Sequence, residues 1–291
     1  MKIDLHIHSK DCSDGRLPLE EIFRIAQDRA IGYISITDHD AVQCQAKAIS
    51  LARQHGMHYL TGVELNISFS AIGYGDNKSV SLDLLGYGYD PQDKELKNKT
   101  AQLREHRKKR ARMILERVNR ELEKEGIEHL TDADLAAIER GVDGAFGRPH
   151  IARYMVEKGL VKSVQEAFDK YLVRCDVPKL PLSLAEASRL IRRAGGRAVL
   201  AHGNDPKGTS LCSLTRDVNE QLQIVENHML EYLDGLECWH SRHDPLTTHA
   251  YLKFAKEHGM VVTGGSDCHQ NPVKIGTIDI PEYVVDQFRF I

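Results

Sequence analysis

The chain has 291 residues, which is enough for one large α/β domain, with or without an inserted segment. Its hydrophobic fraction of 41% and charged fraction of 28% are typical of a soluble globular protein. No apolar run approaches the length of a membrane span, and the net charge of -3 argues against a surface that attracts polyanions as a whole. We therefore expect no membrane partner and no stable complex with nucleic acid.

The N-terminus and the cysteines bear on the cellular compartment. A predicted strand that carries Asp4 and His6 begins at once, so the sequence predicts no signal peptide. The six cysteines are scattered without a CxxC pair, which favours reduced thiols over a disulfide framework. We therefore expect a cytoplasmic protein.

Residues 1–90 alternate between strands, polar loops and helices. The predicted strands cover residues 3–8, 33–37 and 59–63. An amphipathic helix opens at Pro18, and a second helix runs from about Ala41 to His55. Two β-rich runs then flank Gly75-Asp76-Asn77-Lys78, which predicts a hairpin turn. The alternation of strand and helix predicts parallel strands with crossover helices.

Residues 91–180 break this alternation and predict helices alone. A long, charged helical stretch covers residues 93–125, and Thr131 and Ser163 are the predicted N-caps of shorter helices. Within the long stretch, residues 104–112 carry six basic side chains, which we interpret as a solvated helix face. We predict that residues 91–180 form an inserted all-helical domain.

Strand and helix alternate again after the insert. Ser183 is the predicted N-cap of another helix, and the predicted strands cover residues 197–201, 236–239 and 260–263. Together with the strand that contains Asp83, these give seven strands of barrel type. The predicted fold is therefore an α/β barrel, built from residues 1–90 and 181–291.

Nine side chains of metal-ligand type fall at or just beyond the predicted strand ends. They are His6, His8, Asp14, His39, Glu64, Asp83, His202, Asp267 and His269. Residues two apart in a strand share a face, so His6 and His8 point the same way. In a parallel barrel the functional face lies where the strands end. One such residue alone is often a helix cap or a core histidine, but nine at one edge predict a metal centre.

The number of ligands and their chemistry narrow the kind of metal centre. One zinc ion needs three or four protein ligands, so nine ligands predict two or three divalent metal ions. A carboxylate such as Glu64 would bridge them. Mixed imidazole and carboxylate ligands suit manganese, zinc or iron. Two close metals are an arrangement for phosphoryl transfer.

Five short motifs carry a resemblance to a known family. They are His6-x-His8, Thr37-Asp38-His39-Asp40, Gly62-Val63-Glu64, Ala201-His202 and Gly265-Ser266-Asp267-x-His269. These resemble the motifs of the PHP (polymerase and histidinol phosphatase) family. The resemblance implies a distorted seven-stranded, TIM-like (β/α) barrel with a trinuclear metal centre. It assigns one metal to His6, His8, Glu64 and Asp267, a second to Glu64, Asp83 and His202, and a third to Asp14, His39 and His269.

The insert sharpens the resemblance. Gly147-Arg148-Pro149-His150 and the later Phe168-Asp169-Lys170-Tyr171-Leu172 resemble the insert of a bacterial subgroup. That subgroup includes a 3′,5′-nucleotide bisphosphate phosphatase and a 5′→3′ exoribonuclease, and it implies that Arg148 and His150 contact substrate phosphate. Two positions depart from the pattern. Asp83 stands where the family usually has His, which favours manganese, and Gly203-Asn204-Asp205 replaces Pro-Gly-Arg.

The resemblance implies a metal-dependent phosphoesterase. We expect its substrates to be phosphomonoesters of nucleotides, such as 3′,5′-bisphosphonucleosides, or short 5′-phosphorylated oligonucleotides, hydrolysed by a metal-activated hydroxide. The candidate catalytic residues are Glu64, His202 and Asp40. The alternatives are a histidinol-phosphate phosphatase, a hydrolase of C–N bonds, and a barrel that keeps metals for stability alone.

Overall fold

The computed structural model describes residues 1–74, 79–140, 147–269 and 273–290. The predicted hairpin turn at residues 75–78 lies outside these ranges. The fold is mixed α/β, as predicted, with eight strands in the described ranges. Within them, none of the helices combines the length and the apolar character that crossing a membrane requires.

The described strands form one sheet of three strands and one of five. The first sheet is parallel and contains β1 (Lys2–Asp4), β2 (Ile31–Ile34) and β3 (His58–Tyr59). The second sheet has the order β4 (Gly62–Phe69), β5 (Val80–Tyr87), β6 (Arg197–Leu200), β7 (Gly235–His240) and β8 (Val261–Gly265). In it, β5 runs antiparallel to both neighbours, whereas β6, β7 and β8 are parallel. A continuous barrel of seven strands is not confirmed.

Backbone hydrogen bonds join the two sheets at both edges. Next to β1, Leu5 N donates to Gly264 O over 3.2 Å, and Asp267 N donates to His6 O over 2.8 Å. At the other edge, Asp40 N donates to Glu64 O over 2.8 Å. These bonds bring the loops that follow β1, β2 and β8 to the same rim as the start of β4.

Five helices pack against the sheets. They are α1 (Leu19–Asp28), α2 (Gln45–Gln54), α7 (Leu184–Arg193), α8 (Val218–His228) and α9 (Pro245–Glu257). The apolar stripe of α1 is fully buried, as its 3.6-residue spacing predicts. Ser183 caps α7 by accepting a hydrogen bond from Glu186 N, which confirms the predicted N-cap.

The helices between residues 94 and 172 have a hydrophobic cluster of their own. They are α3 (Lys94–Lys124), α4 (Asp132–Arg140), α5 (Arg148–Glu157), α6 (Val164–Ala167) and a π-helical turn (Phe168–Leu172). Ile114, Val118 and Leu122 of α3 are buried in that cluster, which follows the predicted apolar stripe. The predicted caps form as well, because Thr131 Oγ1 accepts from Asp134 N and Ser163 accepts from Glu166 N.

The predicted places of Glu64 and Asp83 on the strands were wrong. Glu64 was expected to end the third strand, but the chain leaves β3 after Tyr59 and Glu64 is the third residue of β4. Asp83 was also expected at a strand end, and it lies inside β5 opposite Asn66. Since β5 is antiparallel, its first half lies at the rim where the parallel strands end.

The expectation of reduced thiols was also wrong for one pair. Cys12 and Cys44 form a disulfide across a sequence separation of 32 residues. The other four cysteines, at positions 175, 212, 238 and 268, take part in no disulfide within the described residues. The bond joins the loop after β1 to the start of α2, and Cys12 and Cys44 were too far apart in sequence to suggest a pair.

Candidate metal centre

The two histidines of the first strand converge as predicted. His6 and His8 are buried, and their Nε2 atoms lie 3.1 Å apart. Asp267, which follows β8, faces both rings, because its Oδ1 atom lies 3.5 Å from His6 Nε2 and 3.4 Å from His8 Nε2. Backbone pairing between the first and last strands causes this meeting. The three side chains form one group that could hold a metal ion.

Glu64 lies at the centre of the cluster and is fully buried. Its Oε1 atom lies 3.0 Å from His202 Nε2 and 3.4 Å from His6 Nε2. Its Oε2 atom lies 3.1 Å from His8 Nε2 and 3.1 Å from His39 Nδ1. Each oxygen of one carboxylate therefore faces two imidazoles, which is the geometry that a bridging ligand needs.

The remaining predicted ligands lie on either side of Glu64. His8, Asp14, His39 and His269 form one group of potential ligands, and the His269 Nε2 atom lies 3.3 Å from Asp14 Oδ1. His39, Glu64 and Asp83 form another. The structure thus brings all nine predicted side chains into one set of overlapping groups.

The sets implied by the resemblance and the groups in the structure differ in detail. His202 groups with Glu64 as expected, but it shares that group with His6 rather than Asp83. The His202 Nε2 atom is 4.0 Å from Asp83 Oδ2. Asp83 instead accepts hydrogen bonds from Asn66 Nδ2, over 2.7 Å, and from the hydroxyl of Thr209.

Charge in the cluster is strongly perturbed. Burial opposes ionisation of Glu64, but His39 and His6 outweigh it and hold the pKa of the carboxyl well below its usual range. Burial also opposes protonation of His8, but the nearby carboxylates of Asp267 and Glu64 raise its pKa to about 10. Burial and the nearby Glu64 raise the pKa of Asp83 to about 7. The charges of these buried carboxylates and imidazoles therefore compensate one another only in part.

Several buried polar atoms of the cluster fit a cation. Within the described residues, Oε2 of Glu64, Oδ1 of Asp267 and Nδ1 of His39 lack a hydrogen-bond partner. Leaving such atoms unpaired is costly in a protein interior, and a divalent ion would satisfy them. Imidazole nitrogens and carboxylate oxygens are also the donors that manganese, zinc and iron accept. The residues present therefore fit a multinuclear divalent metal centre.

Backbone strain accompanies three of the site residues. His202, Asp267 and Asp40 have φ values of 26°, 52° and 49°, in the left-handed region that favours glycine. Non-glycine residues persist there only when their surroundings hold them, and such positions cluster at functional sites. The His202 N–H donates to Glu237 Oε2 over 2.7 Å, which is one such restraint.

Three residues near the cluster were not predicted. Glu237, inside β7, accepts from His6 Nδ1 at 2.9 Å. The Nε2 atom of His240 lies 3.4 Å from Asp267 Oδ2. Arg107 of α3 forms a buried ion pair with Asp40. The β-strand alternation of Glu237 with apolar neighbours was the one signal in the sequence that could have pointed to it.

The basic stretch of α3 is only partly a solvated face. Arg107 turns inward to Asp40, and Arg110 pairs with Asp176. That pairing contradicts the predicted solvated face for these two residues. The pairing with Arg107 links Asp40, a predicted catalytic residue, to the insert, and Asp40 also accepts from Asn66 N of β4 over 3.1 Å.

The insert forms one wall of the cavity above the cluster. Arg148 and His150 line a cavity of about 200 Å³ together with Asp14, His39 and Asp83. Arg148 is partly exposed, and its Nη1 atom lies 2.9 Å from Asp176 Oδ2. Burial and nearby arginine lower the pKa of His150 to about 4, so its ring is neutral near pH 7. Both predicted phosphate-binding residues therefore lie beside predicted metal ligands.

A larger cavity of about 740 Å³ covers the other side of the cluster. Asp205 follows His202, in the segment that departs from Pro-Gly-Arg, and it is buried in an ion pair with Arg242. Both residues line the cavity. The departure from the family pattern thus does not leave this wall without an arginine, because β7 supplies Arg242 from the loop that follows it.

Comparison with known proteins places the chain among phosphoesterases. The PHP domain family model matches residues 4–175. The 3′,5′-nucleoside bisphosphate phosphatase of Chromobacterium violaceum is 31% identical over 281 residues, covering 92% of this chain and 87% of that protein. The 5′-3′ exoribonuclease Rnm of Salmonella typhimurium is 28% identical over 277 residues, covering 92% and 85%.

A solved structure agrees with the sequence comparison. A Bifidobacterium adolescentis protein described as a candidate metal-dependent phosphoesterase superposes with a TM-score of 0.78 at 27% identity. The superposition covers 98% of this chain and 94% of that one. The family match spans more than half of the sequence and includes six of the nine clustered side chains. The chain therefore belongs to the PHP domain family.

Proposed function

We propose that the chain is a metal-dependent phosphoesterase that hydrolyses phosphate esters of nucleotides or of short 5′-phosphorylated oligonucleotides. The observation that carries the proposal is the position of Glu64. Its two oxygens face His6 and His202 on one side and His8 and His39 on the other, at 3.0 to 3.4 Å. One carboxylate between two sets of imidazoles is the ligand arrangement of a multinuclear hydrolase.

We assign two or three divalent ions to this cluster, with manganese favoured and zinc or iron as alternatives. His6, His8, Asp267 and Glu64 would hold the first, and Glu64, Asp83 and His202 the second. Asp14, His39 and His269 would hold the third. When bound, such ions act as Lewis acids, lower the pKa of water and neutralise phosphate oxygens.

The protein's own groups position the reaction. Glu237 accepts the Nδ1 proton of His6, so that His6 presents Nε2 to the cluster. The Nε2 atom of His202 faces Glu64 and would bind the second ion, so we assign His202 a ligand role and no proton transfer at Nε2. Since Asp40 is paired with Arg107, we now assign it a positioning role and no proton transfer.

The walls of the cavities support an anionic substrate with more than one phosphate. Arg148 and the neutral His150 both offer N–H donors beside the cluster, and Lys179 lines the same cavity. We propose that residues 91–180 form the substrate-binding domain and that residues 1–90 and 181–291 form the metal-binding barrel. The separate hydrophobic cluster of the insert and the hydrogen bonds between the sheet edges support this division.

The relatives support nucleotides as the substrate class over histidinol phosphate or a C–N bond. One is named for 3′,5′-nucleoside bisphosphates and another for RNA. The test is an assay of purified protein with Mn²⁺ on a 3′,5′-bisphosphonucleoside, a 5′-phosphorylated RNA trimer and histidinol phosphate. We expect release of phosphate or mononucleotide from the first two at rates at least about tenfold above histidinol phosphate. Turnover of histidinol phosphate alone, or of none, would refute the proposal.

A further inference from the structure

A third cavity opens beside the metal centre, between the loop at residues 10–16 and the helices α4 and α5. Its volume is about 430 Å³, within the range of small-molecule sites. Lys10, Arg16 and Arg153 line it, together with Tyr154. We call it the outer cavity. Apart from Asp14 and His150, which also line it, the residues that the proposed reaction uses lie outside this cavity.

The outer cavity is continuous with the cavity of about 740 Å³ that covers one side of the metal-ligand cluster. Asp14, Arg16 and Arg153 line both of them. Asp14 is a predicted metal ligand, and Arg16 N donates to His269 O over 2.8 Å, which ties this arginine to the same rim. A bound molecule that starts at the metals can therefore extend past the two arginines into the outer cavity.

The cations of the outer cavity lie near two carboxylates, Asp14 and Glu157, without forming an ion pair with a described residue. Among the described residues, none forms an ion pair with Lys10, Arg16 or Arg153, and the Arg153 side chain donates only to Pro149 O, over 3.3 Å. Other arginines at the site are paired, since Arg107 faces Asp40 and Arg148 faces Asp176.

Two arginines, Arg16 and Arg153, line the same wall of the outer cavity. Burial and the proximity of Arg16 lower the pKa of Arg153, whereas Asp14 and Glu157 act in the opposite direction. The carboxylates on the lining are Asp14, which faces His269, and Glu157, which is exposed. Three cationic side chains face two carboxylates at this cavity, and one of the two is a proposed metal ligand, so the excess of positive charge suits an anion such as phosphate.

An aromatic ring stands at the same cavity. The Tyr154 hydroxyl donates to Asp134 Oδ1 over 2.6 Å, which fixes the orientation of its ring. Asp134 also accepts from the backbone N–H and the hydroxyl of Thr131, so the anchor is itself held. A fixed tyrosine ring beside cationic side chains is the combination that binds a nucleobase next to its phosphate.

We propose that the outer cavity binds a phosphodiester group and the adjoining nucleoside of an oligonucleotide, beyond the phosphates held at the metals and at Arg148. The inference rests on the proposed function and narrows it. Arg16 and Arg153 bind the additional phosphate, and Tyr154 stacks on the adjoining base. A mononucleotide bisphosphate does not reach this subsite, so the chain prefers oligonucleotides.

The test compares two substrates in the double variant Arg16→Ala/Arg153→Ala. Kinetics with Mn²⁺ are measured on a 3′,5′-bisphosphonucleoside and on a 5′-phosphorylated RNA trimer. We expect kcat/KM for the trimer to fall about tenfold for each arginine removed, because each is a charge-assisted contact, and kcat/KM for the bisphosphonucleoside to stay within about twofold. The double variant Arg16→Lys/Arg153→Lys should recover part of the loss. Arg24→Ala, on the exposed face of α1, is the matched control.

A binding measurement separates this inference from the proposed function. Fluorescently labelled RNA trimer is titrated with the metal-free protein in EDTA, where no turnover occurs. We expect the wild-type protein to bind the trimer at least about tenfold more tightly than the bisphosphonucleoside, with a salt dependence that the double alanine variant loses. If the protein turns over neither substrate but shows this binding difference, the proposed function falls and the subsite stands. Equal effects of the double variant on both substrates, or equal binding of both, would overturn the subsite.

Discussion

The carboxylate of Glu237 lies 2.9 Å from Nδ1 of His6, and both side chains are fully buried. The pair fixes which nitrogen of His6 carries a proton, and so leaves Nε2 to face Glu64 and His8. The other oxygen of Glu237 accepts from the backbone of His202, a residue with positive φ. One carboxylate therefore holds two residues of the candidate metal centre, one that follows β1 and one that follows β6.

The Glu237–His6 contact makes the first prediction. Glu237→Gln should weaken metal binding by about ten- to a hundredfold, because partners of this kind orient a ligand and raise its basicity. A calorimetric titration of the metal-free protein with Mn²⁺ measures the change in the dissociation constant. The control is Glu231→Gln, at an exposed position on the 3₁₀ turn after α8. Gln221→Glu would not serve, because Gln221 is buried. An unchanged dissociation constant in the Glu237 variant would show that the contact is structural only.

Arg148 tests phosphate recognition by the insert. Arg148→Ala should lower kcat/KM on a bisphosphonucleoside about ten- to a hundredfold, since a charge-assisted contact to phosphate is lost. The effect on p-nitrophenyl phosphate, which has no second phosphate, should stay within about threefold. Because Arg148 also pairs with Asp176, the thermal unfolding of the variant is measured alongside. Equal losses on both substrates would mean that Arg148 supports the fold or the chemistry in general.

Acid stability of the insert depends on Asp134. The ion pair with Lys158 and hydrogen bonds from Tyr154 and Thr131 hold the pKa of Asp134 well below its ordinary value of 3.8. A carboxyl with a lowered folded-state pKa stabilises the protein fully above its unfolded-state pKa, and the stabilisation is lost as the pH falls below about 4. Asp134→Asn should therefore lower the free energy of unfolding by about 1–2 kcal/mol at pH 7, with a difference from wild type that shrinks as the pH falls below about 4.

Denaturant unfolding at pH 7 and at pH 3 checks the Asp134 prediction. Asp132→Asn, two residues earlier in the same helix, gives a matched comparison, because Asp132 is exposed and forms no ion pair with a described residue. A stability difference that stays constant across this pH range would contradict the assignment to ionised Asp134.

The disulfide between Cys12 and Cys44 should contribute to stability. It closes a loop that spans 32 residues, and a crosslink of this length lowers the entropy of the unfolded chain. Reduction with a dithiol should lower the free energy of unfolding by roughly 2–4 kcal/mol. The double variant Cys12→Ser/Cys44→Ser supplies the control, because the dithiol should leave its stability unchanged. If reduction does not affect the wild-type protein, the two cysteines are not linked in solution.

The sequence predicted the ligands of the site better than their places on the strands. His6 and His8 converge because strand alternation is a local property that two residues reveal. Asp83 was recognised as a ligand-type residue inside an apolar run, but its position at the rim depends on β5 running antiparallel to β6. The direction of a strand in a sheet depends on pairing with strands that are distant in sequence. No local pattern around Asp83 therefore predicts the direction of β5.

The residues that support the site were harder to predict. Glu237 contacts His6 across 231 positions of sequence, and Arg107 contacts Asp40 across 67. Such contacts follow from the packing of whole elements. Arg107 lies among six basic residues that look alike in sequence, and only the orientation of α3 against the sheets selects it. The Cys12–Cys44 bond was missed for the same reason.

The central claim is that one cluster around Glu64 holds two or more divalent ions and drives hydrolysis. The most direct measurement is metal content together with turnover, for wild-type protein and Glu64→Gln purified without chelator. Gln keeps the shape of the side chain but removes the charge that bridges two ions. We predict at least two equivalents of manganese, zinc and iron together in the wild type, and a kcat at least about a hundredfold lower in the folded variant even in saturating Mn²⁺. Less than one equivalent in the wild type, or near-normal kcat in the variant, would contradict the account.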